Sequence, residues 1–145
     1  MIALIQRVSH ASVVIDGETV GQISSGLLAL IGIEKHDDES LADRLAHKVL
    51  NYRVFPDADN KMNLNVMQVN GGLLLVPQFT LAANTQKGLR PSFNGAEPTA
   101  AAGLFDVLTA RIDSDYISPQ TGVFGADMQV SSCNDGPVTF WLQVN

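Results

Sequence analysis

Leu27-Leu28-Ala29-Leu30-Ile31-Gly32-Ile33 is an unbroken apolar run, and its reading decides how the chain is organised. It is far shorter than the roughly 20 residues that cross a bilayer as a helix. At this length it predicts a strand covered on both faces. A sheet with such a strand needs other elements on each side. Upstream, Val13-Val14-Ile15 and Thr19-Val20 flank Asp16-Gly17, a two-residue hairpin signal because both turn positions tolerate positive φ. Residues 2–8 form a further strand candidate. The opening Met1-Ile2-Ala3-Leu4-Ile5-Gln6-Arg7 has no basic region ahead of its apolar stretch, so it reads as a strand and not as a signal peptide.

Downstream, Asp37, Asp38 and Glu39 place negative charge where a helix N-terminus favours it. Leu41, Leu45, Val49 and Tyr52 then fall on one helical face, with His47 pointing away. Met62-Asn63-Leu64-Asn65-Val66 alternates like a half-buried strand, Asn70-Gly71-Gly72 turns the chain, and Leu73-Leu74-Leu75-Val76 continues it. Pro98 suits a first helical position. Ala101, Leu104, Phe105, Leu108 and Ile112 form a second stripe, interrupted by Gly103 at a cost of about 1 kcal/mol relative to Ala. Val138, Phe140, Leu142 and Val144 alternate with Thr139, Trp141 and Gln143 in a last strand. The expected architecture is α+β: a single domain over residues 1–145, with a mostly antiparallel or mixed, barrel-like sheet and two main helices.

The 145 residues are 46% hydrophobic, enough for a core without covalent staples, and 17% charged, too few for long disordered tails. A cytoplasmic location is expected. One cysteine, Cys133, excludes an internal disulfide and reads as a small semi-buried residue. The net charge is −6, and the nine basic residues are scattered. Backbone affinity for nucleic acid comes mainly from Lys and Arg, so general polyanion binding is disfavoured. A nucleic acid bound by this chain would be held through few, local phosphate contacts, or mostly at its terminal nucleotide.

The common catalytic signatures are missing. The sequence has no Gly-x-Ser-x-Gly elbow and no phosphate-binding Gly-x-x-x-x-Gly-Lys loop. His10, His36 and His47 lack metal-ligand spacing, and one Cys cannot build a zinc site, so neither metal nor cofactor is expected. Two segments are unusual. In Pro77-Gln78-Phe79-Thr80-Leu81 the proline ends or edges a strand, and polar groups follow it. Asn134-Asp135-Gly136-Pro137-Val138-Thr139 concentrates turn formers just before the last strand. Taken singly, each segment also fits an ordinary strand terminus or turn.

Together these two segments resemble the two signature motifs of the D-aminoacyl-tRNA deacylases. The opening Met1–Val8, Lys61–Val66, Leu89–Phe93, Ala126–Val130 and Phe140–Val144 are also similar to the family, in the same order and over nearly the whole chain. The resemblance implies hydrolysis of the ester of D-aminoacyl-tRNA and of glycyl-tRNA, by a homodimer with active sites at its interface. It implies that Gly136-Pro137 is cis and reaches the partner's site, where backbone carbonyls face the aminoacyl group, and that Arg7 holds this loop. Gln78, Phe79 and Thr80 would line the pocket for the terminal adenosine and the ester carbonyl. The Phe79 and Thr80 amides would serve an oxyanion role. Pro77 and Met128 would contribute to substrate binding. It further implies hydrolysis assisted by the terminal 2′-hydroxyl, with Thr80 positioning rather than attacking. One departure is Pro77, where the family usually has Ser; relatives of relaxed chiral selectivity in animals share this Pro. Another is Gly125, where bacterial members are expected to have Ala. The alternatives are a small general esterase using Thr80 or Ser92, and a non-catalytic nucleic-acid-binding dimer. DNA and membrane are not expected partners.

Overall fold

The computed structural model describes residues 1–93 and 95–145. In chain order the elements are β1 (Ile2–Ile15), β2 (Glu18–Ile23), β3 (Gly26–Gly32), α1 (Glu39–Asn51), β4 (Phe55–Pro56), β5 (Met62–Leu64), β6 (Gly72–Pro77), a short 3-10 turn (Phe79–Ala82), β7 (Ala83–Asn84), β8 (Ser92–Phe93), α2 (Pro98–Asp115), β9 (Gln120–Thr121) and β10 (Gln129–Gln143). The main sheet runs β10-β1-β3-β6-β9, with β2 also paired to β1. Pairs β3–β6 and β6–β9 are parallel, while β1 is antiparallel to β2, β3 and β10. The sheet is mixed and nearly closed. The Gln22 amide reaches Gln120 Oε1 at 3.4 Å, and the Gly72 amide reaches the Ser25 carbonyl at 3.0 Å.

The apolar run 27–33 is the sheet's centre. Leu27, Ala29 and Ile31 face a core shared with Leu45, Val49, Leu108 and Ile112 of the helices. Leu28 faces the opposite way, into a second cluster with Val8, Val13, Leu74 and Val76. The strand is therefore covered on both faces, as its composition requires.

Two expected strands merge. Residues 2–8 and 13–15 belong to one strand, β1, which changes partner along one side: β3 pairs with residues 2–8 and β2 with 11–15, while β10 follows the other side. Asp16 (φ 50°) and Gly17 (φ 82°) make the turn into β2. The first helix is capped by Asp38, whose Oδ1 accepts from the Leu41 amide at 3.0 Å. Asp37 has another task. Its Oδ1 lies 2.7 Å from the Met1 ammonium, which also donates to Glu34 Oε2 at 3.1 Å and the Val144 carbonyl at 2.9 Å. The buried stripe of α1 is Ala42, Leu45, Ala46, Val49 and Leu50, shifted from the expected one: Leu41 is half-buried and Tyr52 lies past the helix. In β10, Val138 and Leu142 are buried, whereas Phe140 sits at the rim with its ring edge-on to Tyr52 at 5.4 Å. Cys133, expected to be semi-buried, is exposed because β10 is the outer strand of the sheet. Among the described residues no helix is long and apolar enough to cross a membrane.

Candidate active site

β6 ends at Pro77, which is buried and pairs with Ile31, and the next residue turns away from the sheet. The Gln78 amide donates to the Ile31 carbonyl at 2.7 Å, and the chain enters the 3-10 turn. The turn's first internal bond runs from the Leu81 amide to the Gln78 carbonyl at 3.2 Å, so the Phe79 and Thr80 amides precede it. Gln78 Nε2 donates to Thr80 Oγ1. An amide nitrogen that donates cannot also take a proton, so Gln78 is no base for that hydroxyl.

Phe79 is 64% exposed and Phe93 52%, and their rings are tilted together at 5.2 Å. They open a cavity of about 430 Å³. Its walls include Pro77, Ile33, Pro98, Ala101 and Phe124, with Glu97 as its charged residue. A second groove of about 570 Å³ runs past Thr80 to Trp141 and Glu34. Partial burial alone would raise the Glu34 carboxyl, but hydrogen bonds from Gln143 and the N-terminal ammonium outweigh it and hold it below the usual carboxylate value. Glu34 is thus a weakened proton acceptor. Met128 is half-buried on the far side of Gly122; a methyl on that glycine would come 2.7 Å from Met128 Sδ and 3.4 Å from Pro77 Cδ.

The second motif forms a bulge of β10 against β1, between the pairs Val8–Asn134 and Gln6–Thr139. The Gly136–Pro137 peptide bond is cis. Arg7 Nε donates to the Asp135 carbonyl at 3.0 Å, and its Nη1 donates to the Val54 carbonyl at 2.7 Å. Asn134 closes the loop from within: its Oδ1 accepts from the Val138 amide at 2.9 Å, and its Nδ2 donates to Thr139 Oγ1 at 2.8 Å. Gly136 has φ 137°, and a methyl there would meet Val138 Cγ2 at 2.7 Å and Arg7 Nη2 at 3.1 Å. Any side chain at this place is therefore strained.

Arg7, Gly136 and Pro137 therefore form one group; Pro77, Gln78, Phe79, Thr80 and Met128 form another. Arg7 pairs with Leu27 and Ala3 with Ile31, so the groups are offset by four residues along β3, about 13 Å. β1 and β3 also lie between β10 and β6. One protomer does not bring the two motifs to a common cavity among the described residues. Sequence reading alone assigns no role to Phe93, Phe124 or Ala101 in the cavity, or to Gln6, Asn134 and Thr139 around the loop. The polar residues at both ends of the second motif are the available signal for the latter.

A family model described as D-Tyr-tRNA(Tyr) deacylase matches residues 4–143. The chain belongs to the D-Tyr-tRNA(Tyr) deacylase family. It is 59% identical over 145 residues to the D-aminoacyl-tRNA deacylases of Escherichia coli O81 (strain ED1a) and Shigella boydii serotype 18, covering 99% of this chain and 100% of each relative. Membership at this identity makes the chain a hydrolase. The c-Myc DNA Unwinding Element Binding Protein is a structural relative, with TM-score 0.95 and 36% identity over 100% of this chain and 99% of that one. A probable eukaryotic D-amino acid tRNA deacylase shares the fold, with TM-score 0.82 and 14% identity over 99% of this chain and 98% of that one.

Proposed function

We propose that this chain hydrolyses the ester of D-aminoacyl-tRNA, and of glycyl-tRNA, as a homodimer whose active sites span the interface. One observation carries the reading: a loop with a tightly tied backbone, Asn134–Thr139, is presented away from the Phe79–Thr80 cavity of its own protomer. A second copy would bring loop and cavity together. The outer edge of β10, with Trp141 52% exposed towards one end and Val130 39% exposed towards the other, supplies surface for such a copy. The terminal adenosine would occupy the Phe79–Phe93 cavity, and the Phe79 and Thr80 amides would meet the ester oxygen.

Chiral choice then works by rejection. A fixed backbone wall holds the α-amino group, a D side chain points to open space, and an L side chain strikes the wall. Discrimination of roughly 10⁴-fold corresponds to about 5.5 kcal/mol. Glycine has no side chain to strike the wall and would be accepted. Thr80 has Gln78 as its hydrogen-bond partner, and Glu34 is held by two other donors, which supports positioning by Thr80 and activation of water by the substrate's own 2′-hydroxyl. An enzyme of this kind would act as one domain of residues 1–145 in the cytoplasm, where tRNA is charged.

The test is parallel deacylation of D-tyrosyl-, glycyl- and L-tyrosyl-tRNA by the purified protein. Fast release from the first two with the L ester spared is expected. Equal release of D and L would sink the chiral wall and point to Pro77. No release from any would sink the deacylase reading. Duplex DNA is a weaker partner on charge grounds, despite the structural relative's name, because the chain carries −6 overall.

A further inference from the structure

All 15 acidic residues lie outside 60–96, a segment that contains Lys61, Lys87 and Arg90. In a chain of net charge −6 this is a local reversal of sign. The fold gives it a place. β7 and β8 pair through Ala83–Phe93 and Asn84–Ser92, so residues 85–91 form the tip of a hairpin based on the Phe79–Phe93 aromatic pair. Lys87 and Arg90 are exposed at that tip, and among the described residues neither is in an ion pair. Glu97 lines the cavity and Glu34 the neighbouring groove, where Glu34 is already engaged by Gln143 and the N-terminus.

An exposed aromatic platform followed by unpaired cations is the arrangement that holds single-stranded nucleic acid: bases stack, and the backbone follows the positive charge. β7 and β8 are two residues each, about 7 Å of strand, and residues 85–91 extend the hairpin beyond them. Lys87 and Arg90 in that loop would then face the phosphates of the nucleotides just before a base lodged at Phe79–Phe93. We propose that the β7–β8 hairpin is the tRNA-docking element of this chain, with Lys87 and Arg90 binding phosphates of the single-stranded 3′ end. The proposal rests on the deacylase reading for its choice of tRNA. It also resolves the charge problem, because a few local cations replace a broad basic surface.

The experiment measures affinity of the full-length protein for uncharged tRNA by fluorescence anisotropy across a salt series, so it does not require catalysis. K87E/R90E is expected to weaken binding at least 10-fold and to flatten the salt dependence by about 0.7 for each phosphate no longer neutralised. K87R/R90K keeps the wild-type affinity and slope, and so does K61E, a charge reversal away from the hairpin. Unchanged affinity and slope in K87E/R90E would overturn the proposal, as would equal loss in K61E or equally tight wild-type binding to duplex DNA. Wild-type protein that binds tRNA in this charge-dependent way yet releases no D-amino acid would overturn the deacylase reading alone. No tRNA binding by the wild type would overturn both.

Discussion

The Arg7 guanidinium holds the Asp135 carbonyl, 3.0 Å from its Nε, while its other arm takes the Val54 carbonyl at 2.7 Å. One side chain from β1 thereby ties the β10 bulge to the segment after α1. The Asp135 carboxylate, 3.7 Å from Nε and mostly exposed, adds little to that tie.

Arg7→Ala removes both hydrogen bonds and frees the loop. Loss of two charge-assisted bonds costs about 2–4 kcal/mol, discounted towards the lower end because Asp135 is exposed. If the loop is the chiral wall, kcat/KM on D-tyrosyl-tRNA falls roughly 100-fold through misplacement. Arg7→Lys keeps charge but reaches only one carbonyl, and should fall between the two. Steady-state deacylation with a thermal melt checks this; wild-type kinetics in a folded R7A protein would dismiss the clamp.

Gly136→Ala puts a methyl against Val138 Cγ2 and Arg7 Nη2 at a φ that L residues rarely adopt. The expected cost is about 1–3 kcal/mol of stability. A displaced wall should reject L esters less well, so the ratio of D- to L-tyrosyl-tRNA hydrolysis is expected to drop by at least 10-fold. An unchanged ratio would separate this loop from chiral choice.

Thr80→Ala should retain activity within about 10-fold, since the hydrogen-bond partner of the hydroxyl among the described residues is the Gln78 amide, which is no base. A tRNA ending in 2′-deoxyadenosine should be the poorer substrate by far. A loss of roughly 10³-fold in T80A, with folding and tRNA binding intact, would instead make Thr80 the nucleophile.

The lowered Glu34 carboxyl makes part of the stability depend on acid. Its folded pKa lies below the unfolded value of 4.5, so its contribution is present above pH 4.5 and disappears as the pH falls through the folded value. Glu34→Gln should lower stability at neutral pH and show a shallower fall below pH 4.5. Urea midpoints measured for both proteins from neutral to acid pH test the assignment; parallel curves would count against it.

Much of the architecture was legible because periodicity reports burial. The run 27–33 announced a strand covered on both faces, and Leu28 and Leu27 do face separate cores. Asp16-Gly17 announced a turn because few residues accept positive φ at both positions. Local pattern could not show that β1 is continuous from Ile2 to Ile15, because its continuity comes from an exchange of partners, β3 for β2. Nor could it separate Asp37 from Asp38: both suit a helix start, but the Met1 ammonium and the Glu34 amide hold the Asp37 carboxylate while Asp38 caps the helix.

The same division holds for the site. The residue types of the two motifs, their order and their likeness to a family are properties of the one-dimensional chain. So is the clustering of cations within an acid-free segment. Their meeting places are not. Phe79 and Phe93 are neighbours because the β7–β8 hairpin folds them together, and Arg7 reaches Asp135 because β10 returns along β1. The sequence alone determined which groups are available and where the backbone must turn, since these depend on side-chain chemistry and local sterics. Tertiary structure alone decided which groups share a cavity and which stand apart, since hydrogen bonds and packing act between residues brought close in space.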